Sequence, residues 1–265
     1  MSIAKKKVII TGGAGLIGGL LINQLNERYT FASFDRQTAA DIPSHLGDIT
    51  DFSTVLRAFQ GQDIVVHLAA DRRADSPWES TLPNNVIGTY NVFEAARQAG
   101  IQRVVCASSQ HATGGFYLDA PYKAIVEGRY RDVPPGYALV DETCPIRPDG
   151  YYGTAKAFGE ALGSYYWDYY KLSSLHLRIG WVLSTDDPTF SAFALTLWLS
   201  HRDIAQVVRL CIDAPAALGY DIFYATSDNK WKIWSIDRAK QRLGYQPEDG
   251  AGDNLTPGPI PPRDL

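Results

Sequence analysis

The chain has 265 residues, of which 45% are apolar and 20% are charged, and its formal net charge is −4 at pH 7. This length and composition predict a globular protein with one large domain, and the weak negative charge argues against binding to nucleic acid or to an anionic membrane. No apolar run is long enough to span a bilayer, and the first predicted strand begins too early to leave room for a signal peptide. The three widely spaced cysteines indicate neither a disulfide framework nor a metal site. We therefore expect a cytoplasmic protein.

A glycine-rich turn follows the first predicted strand. The strand is the apolar run Val8–Ile10, the glycines are Gly12, Gly15 and Gly18, and helical apolar spacing comes next. Such a turn lets the backbone approach a pyrophosphate, and the helix N-terminus offers free N–H groups and the positive end of its dipole. Asp35 closes the second predicted strand, where an acid binds a ribose 2′-hydroxyl. The pattern therefore predicts a dinucleotide site.

Strands and helices alternate through the first half of the chain. Alternation of this kind is typical of an α/β fold with a doubly wound parallel sheet and right-handed crossovers. Asp51 or Thr50 is expected to cap the first of the later helices. The predicted elements are a helix over Phe52–Phe59, a strand over Asp63–Ala70, a helix over Asn85–Ala96 that ends at Gly100, and a strand over Arg103–Ser109.

The second half begins with residues 112–150, which mix Gly, Pro, Tyr and charged residues without clean periodicity. A connection this long is typical of a lid or a binding loop. We expect one domain over residues 1–246, with a substrate-binding insert at 112–150, a small C-terminal lobe from about residue 184, and an extended or disordered tail over 247–265. The further predicted elements are a helix over 151–172, a strand over 174–183, a helix over 204–214, a strand over 221–225 and a helix over 235–243.

Tyr152 and Lys156 lie at positions i and i+4 of a predicted helix, and therefore on one face. A nearby ammonium favours the phenolate form of a tyrosine, which makes the phenol a candidate general base. The Tyr-x-x-x-Lys spacing is common by chance. It gains force here from the upstream dinucleotide motif and from Ser109, which ends a strand at the expected edge of the sheet.

Together these motifs resemble the extended short-chain dehydrogenases/reductases of the NAD-dependent epimerase/dehydratase superfamily, whose domain is a Rossmann-type fold with a small C-terminal substrate-binding portion. Four further segments resemble the uronate dehydrogenases and the NAD-dependent, short-chain type of glucose-6-phosphate dehydrogenase. Both groups oxidise the anomeric C1 of an acidic sugar, a hexuronate or a hexose 6-phosphate, to a lactone. The four segments are Ser108–His111, Arg147–Gly153, Arg178–Gly180 and Trp198–Asp203.

The resemblance assigns roles to individual residues. Tyr152 would take the proton of the C1 hydroxyl, Ser109 would hold that oxygen, and Lys156 would bind the nicotinamide ribose. Asn85 would support the helix and a water that relays the proton. Together with Asn85, Tyr152 and Lys156, the expected NAD-binding residues are Gly12, Gly15, Leu16, Ile17, Gly18, Asp35, Arg36, Asp48, Ile49, Leu68, Ala69 and Ala70.

The expected substrate-binding residues are Ser109, Gln110, His111 and Arg178. Arg178 is expected to anchor the anionic group of the sugar, because its strand runs toward the edge that also carries Ser109. The alternatives are a surface ion pair for Arg178 and a structural hydrogen bond for His111. Gln110 and Trp181 depart from the family pattern, which usually has Asn and a small polar residue there, and they leave the identity of the sugar open.

Two other functions are compatible with the superfamily: a nucleotide-sugar epimerase or dehydratase, and a non-catalytic protein that senses NAD. The short C-terminal part argues against the first, and the intact Ser109, Tyr152 and Lys156 argue against the second. We also expect a homodimer that pairs through the helices Asn85–Gln98 and Tyr152–Leu172. The second helix carries five aromatic side chains near its end, too many for one core-facing stripe, unless the 112–150 insert covers them.

Overall fold

The computed structural model describes residues 5–260, and these residues form one seven-stranded sheet. All strand pairs are parallel and their order is β3-β2-β1-β4-β5-β6-β7, so the predicted fold class is confirmed. The strands are β1 (Lys7–Thr11), β2 (Thr30–Asp35), β3 (Ser44–Leu46), β4 (Ile64–His67), β5 (Arg103–Ser109), β6 (Ser173–Ile179) and β7 (Tyr220–Ala225).

Helices cover both faces of this sheet. Asp51, one of the two predicted caps, begins the second helix by accepting hydrogen bonds from the N–H groups of Ser53 and Thr54, and Gly100 ends the fourth with a φ of 74°. The helices are α1 (Leu16–Leu25), α2 (Phe52–Phe59), α3 (Trp78–Thr81), α4 (Gly88–Ala99), α5 (Tyr122–Val126), α6 (Tyr151–Tyr170), α7 (Ala192–Leu197), α8 (His201–Asp213) and α9 (Asp237–Leu243).

The apolar runs of the strands are buried on both faces of the sheet. In β1, Val8 and Ile10 pack into the layer that holds α1, α8 and α9, whereas Ile9 packs into the layer that holds α2, α4 and α6. Successive side chains of a strand point to opposite faces, so one continuous apolar run supplies both layers.

The strand order places a switch point between β1 and β4. The crossovers run in opposite directions from there, which leaves a crevice at the carboxyl ends of these two strands. The glycine turn follows β1, and Leu68–Ala70 follows β4. The fold therefore brings the predicted dinucleotide motif to the position where doubly wound sheets bind their ligands.

The 112–150 insert is ordered. A 3₁₀-helical segment, Gln110–Leu118, leads into it, and α5 and a short 3₁₀ turn, Tyr130–Asp132, follow. Its residues Ile125 and Val140 share a small core with Trp234 of the C-terminal part. Residues 247–260 have no helix or strand, although the N–H of Thr256 donates to the carbonyl of Thr189 at 2.8 Å; the rest of the predicted tail, 261–265, lies outside the described residues.

Several elements differ from the sequence prediction. The sequence predicts neither the short edge strand β3 nor the short helices α3, α5 and α7. The helix predicted from Asn85 onward is instead a π-helical segment, Leu82–Ile87, that continues into α4. None of the helices within residues 5–260 is long and apolar enough to cross a membrane.

Candidate active site

Two glycines of the glycine-rich motif lie where a side chain would collide with the neighbouring backbone. Gly12 has a φ of +78°, and a Cβ there would lie 2.8 Å from the backbone nitrogen of Ala69. A Cβ at Gly18 would lie 2.6 Å from the carbonyl oxygen of Gly13. Both glycines are therefore needed to bring β1, β4 and α1 this close together.

The N-terminus of α1 fits a ligand phosphate. Its N-cap is Gly15, which has no side chain to accept a hydrogen bond, and its first turn, beginning with Leu16 and Ile17, contains no acidic residue. The N–H groups at this end are therefore left for an anion, which the helix dipole also favours.

Asp35 lies at the end of β2, beside the glycine turn. Its Oδ2 accepts a hydrogen bond of 3.1 Å from the N–H of Ala14. This contact holds the carboxylate where a ribose bound to the turn would meet it. Arg36 is exposed next to it. Asp48 accepts bonds from the N–H and hydroxyl of Thr50, which lower the pKa of Asp48.

The end of β4 forms the other wall of the crevice. Leu68, Ala69 and Ala70 are all half-buried there, whereas Ile49 packs in the core. Before them, His67 bonds Thr11 at 2.8 Å and Thr89 at 3.1 Å. Burial, assisted by the charge of Lys156, lowers the pKa of His67 to about 3, so this residue is a neutral connector between strand ends.

Asn85 is buried in the π-helical segment and grips the backbone after β4. Its Oδ1 accepts from the N–H of Asp71 at 2.7 Å, and its Nδ2 donates to the carbonyl of Asp71 at 2.9 Å. π-Helical turns often occur at functional sites. Here the turn presents Asn85 to the strand end beside Ala70.

Tyr152 and Lys156 lie in the first turns of α6, beside the end of β5. The ammonium of Lys156 lies 5.3 Å from the ring centre of Tyr152 and donates a 2.7 Å hydrogen bond to the carbonyl of Ala107. Ala107 precedes Ser109 by two residues. The structure therefore brings the predicted Ser109, Tyr152 and Lys156 to one place at the carboxyl edge of the sheet.

Gln110 and His111 extend this cluster. Buried Ser109 donates to Oε1 of Gln110 at 3.1 Å and accepts from the N–H of His111 at 3.2 Å. The His111 ring lies edge-on to the Tyr152 ring, with centres 5.6 Å apart. Nδ1 of His111 lies 2.7 Å from Oδ2 of Asp149.

Arg178 occupies a different place from the one expected. Its side chain is only 2% exposed, and its Nε and Nη2 donate two parallel bonds of 2.8 Å to the carboxylate of Glu160. Its Nη1 donates to the hydroxyl of Tyr224 at 3.0 Å. Although burial alone would lower the pKa of Arg178, the Glu160 carboxylate holds it above its ordinary value. The prediction that Arg178 anchors the anion of the substrate is therefore wrong, because the guanidinium already has an internal anion.

Comparison with known proteins assigns this architecture. Residues 8–208 match the profile of the NAD dependent epimerase/dehydratase family. The chain belongs to this family.

Relatives along the whole chain include the NAD-dependent glucose-6-phosphate dehydrogenase of Haloferax volcanii, 35% identical over 93% of this chain and 94% of the relative. The L-arabinose 1-dehydrogenase (NAD(P)(+)) of the same organism is 32% identical, over 92% and 97%. Among solved structures, uronate dehydrogenase from Agrobacterium tumefaciens superimposes with a TM-score of 0.80 at 28% identity, covering 98% of this chain and 93% of that one. A mutant of that enzyme was solved with NAD. The predicted family, NAD as cofactor and oxidoreductase class are thereby confirmed.

Two members of the site were missed by sequence reasoning. Asp149 and Glu160 bind predicted residues that are distant in the chain, His111 and Arg178. The one local signal is for Glu160, since Tyr152, Lys156 and Glu160 repeat every four residues along one face of α6. No local pattern marks Asp149. The ring of Trp181, one of the two expected departures from the family pattern, packs against Phe190 and Phe193.

Proposed function

We propose that this protein is an NAD-dependent dehydrogenase that oxidises the anomeric C1 of an acidic sugar, a hexuronate or a hexose 6-phosphate, to a lactone. The observation that carries the proposal is the convergence of Tyr152, Lys156 and Ser109 beside a strand end that also borders the dinucleotide crevice. We further propose that it acts in the cytoplasm, in keeping with its three free cysteines.

Each residue has one task in this reaction. Tyr152 takes the proton from the C1 hydroxyl, and Lys156, whose ammonium lies 5.3 Å from the centre of the Tyr152 ring, binds the nicotinamide ribose. Ser109 holds the reacting oxygen. The glycine turn and α1 bind the pyrophosphate, Asp35 binds the adenosine ribose, and Asn85 keeps the π-helical turn against the β4 end. NAD, when bound, supplies the hydride acceptor.

A neutral aldose is a second candidate substrate class. The observation that favours it is the internal pairing of Arg178 with Glu160, which removes the cation expected to bind a carboxylate or phosphate. The relative named for L-arabinose acts on a neutral sugar, whereas those named for uronate and glucose 6-phosphate act on anions.

Absorbance of the reduced nicotinamide, measured with NAD and a sugar panel, tests the proposal. The panel contains D-glucuronate, D-galacturonate, D-glucose 6-phosphate, D-glucose and L-arabinose. We expect net NAD reduction with at least one of them, and higher kcat/KM for the acidic sugars than for D-glucose. Higher kcat/KM for neutral sugars selects the second class. Isomerisation of a nucleotide sugar without net reduction would indicate an epimerase, and NAD binding without turnover would indicate a sensor.

NAD should be preferred over NADP. The Asp35 carboxylate would accept bonds from the ribose hydroxyls and repel a 2′-phosphate, while exposed Arg36 offsets part of that repulsion. Because juxtaposed like charges are costly, we expect kcat/KM to be about tenfold or more higher with NAD. The Asp35→Asn variant should narrow this difference. Equal kcat/KM for the two cofactors in the wild type would refute the assignment of Asp35.

The chain should form a homodimer through α4 and α6. These neighbouring helices expose Tyr90, Tyr165, Tyr169 and Tyr170, the last three being 45%, 74% and 46% exposed, and so not covered by the insert. Such aromatics are enriched at interface cores. Light scattering at micromolar concentration should give the mass of two chains. Tyr169→Glu should weaken the dimer. The control variant Leu118→Glu, which changes an exposed apolar side chain outside these two helices, should not. A wild-type monomer would rule the dimer out.

A further inference from the structure

We propose that Asp149 is a positioning residue that fixes the tautomer of His111, and that Nε2 of His111 thereby accepts a hydrogen bond from the C2 hydroxyl of the sugar. This inference rests on the proposed C1 oxidation and names the substrate hydroxyl that the site recognises. It starts from the contact between Nδ1 of His111 and Oδ2 of Asp149, which measures 2.7 Å.

The tautomer follows from the chemistry of this contact. An ionised carboxylate has no proton to donate, so Nδ1 of His111 must carry the hydrogen. In a neutral imidazole the other nitrogen, Nε2, is then an acceptor. The hydrogen bonds that His111 makes within residues 5–260 use its backbone N–H and its Nδ1, and its side chain stays 19% exposed, so Nε2 is available to a ligand.

The site is built to admit the Asp149 carboxylate. A Cβ at Gly114 would lie 2.0 Å from Oδ2 of Asp149, and a Cβ at Gly153 would lie 2.1 Å from the carbonyl oxygen of His111. Gly114 belongs to the 3₁₀ segment after β5, and Gly153 to the first turn of α6. The absence of side chains at both positions therefore lets the His111 backbone and the Asp149 carboxylate approach each other.

The position of His111 indicates which part of the sugar it meets. It follows Ser109 by two residues, and its ring lies edge-on to that of Tyr152, so it borders the place where both residues hold O1. In a pyranose, C1 is bonded to C2, which carries a hydroxyl, and to the ring oxygen, which has no proton. An acceptor nitrogen can pair only with the hydroxyl. The tautomer set by Asp149 therefore selects a sugar that carries a C2 hydroxyl and orients its C1 for reaction.

A cycle of protein and substrate changes tests this assignment. The substrates are the panel aldose with the highest kcat/KM and its 2-deoxy form, which for the hexose phosphate is 2-deoxy-D-glucose 6-phosphate. For each protein we take the ratio of kcat/KM for the aldose to kcat/KM for the 2-deoxy form. Comparing ratios cancels the intrinsic effect of removing the hydroxyl. Relative to the wild type, His111→Ala should lower the ratio by about tenfold, the usual worth of one hydrogen bond.

Asp149→Asn should lower the ratio as far as His111→Ala does. Its amide can donate to Nδ1, which would move the proton to Nε2, much as replacing the carboxylate of a catalytic triad by an amide produces the wrong tautomer. The matched control is Asp119→Asn. This variant loses the ion pair of Asp119 with Arg147. Like the His111–Asp149 contact, that pair connects the segment after β5 to the chain just before α6. The ratio measured for Asp119→Asn should equal that of the wild type.

Nitrogen NMR of ¹⁵N-histidine-labelled protein gives a readout that does not depend on activity. The His111 signals, identified by their loss in His111→Ala, should report a protonated Nδ1 in the wild type and a protonated Nε2 in Asp149→Asn. An Nε2-protonated wild type, or an Asp149→Asn variant that loses kcat/KM equally for both sugars, would overturn the inference and leave the proposed function standing. A wild type that oxidises none of the sugars would refute both.

Discussion

Replacing Tyr152 with phenylalanine is expected to lower kcat by about 10²–10⁴-fold, the usual contribution of one general acid or base. The substitution keeps the ring that packs against His111 and Lys156 and removes the one group assigned to take the C1 proton. NAD binding, measured by titration of the protein fluorescence, should barely change, because Tyr152 is one of many residues expected to contact NAD and the substitution removes only its hydroxyl.

The neighbouring tyrosine provides the control for this variant. Tyr151 is 56% exposed and packs its ring on Trp78, so Tyr151→Phe should retain the turnover of the wild type. Near-wild-type turnover by Tyr152→Phe would remove Tyr152 from the mechanism. A loss of NAD binding in step with kcat would instead mean that the substitution had damaged the cofactor site.

Replacing Arg178 with methionine is expected to lower the free energy of unfolding by about 3–5 kcal/mol, measured by urea denaturation. In this variant the Glu160 carboxylate stays buried and keeps the 2.6 Å hydrogen bond that it accepts from the Ser108 hydroxyl, but it loses the Arg178 guanidinium. The loss should be largely recovered by the double variant Arg178→Met with Glu160→Leu, because a buried ion pair can often be exchanged for apolar side chains at little cost.

An exposed arginine with two acidic partners serves as the control. Arg129 pairs with Glu127 and Asp132 at the surface, so Arg129→Met should leave the free energy of unfolding almost unchanged. If Arg178→Met destabilised the protein no more than Arg129→Met, the Glu160 pair would not be a structural element of the fold. A raised KM at unchanged stability would restore Arg178 to the substrate site.

The dinucleotide site was predictable because its signals are local. A buried strand, glycines three residues apart and a helix are consecutive in the chain, and Asp35 ends the next strand. The i, i+4 spacing of Tyr152 and Lys156 is local as well. In each case the backbone geometry of one element decides where the side chains lie, so the sequence pattern is sufficient.

Arg178 shows where such reasoning stops. A strand pattern indicates that alternate residues share a face, but every residue of β6 is buried, so the pattern does not separate a pocket-facing side chain from a core-facing one. The deciding fact is the presence of Glu160 on α6, a long-range contact. The pairing of His111 with Asp149 is also long-range in sequence, and depends on the fold of the insert between them.

The most direct test of the central claim uses an aldose deuterated at C1, chosen as the sugar with the highest kcat/KM in the panel, together with NAD. We expect the deuterium to be recovered in the reduced nicotinamide and the other product to be the lactone or its hydrolysed aldonic or aldaric acid. The labelled sugar should react more slowly than the unlabelled one. Reduced cofactor without the label, or a labelled sugar that is isomerised with no net reduction of NAD, would contradict the claim.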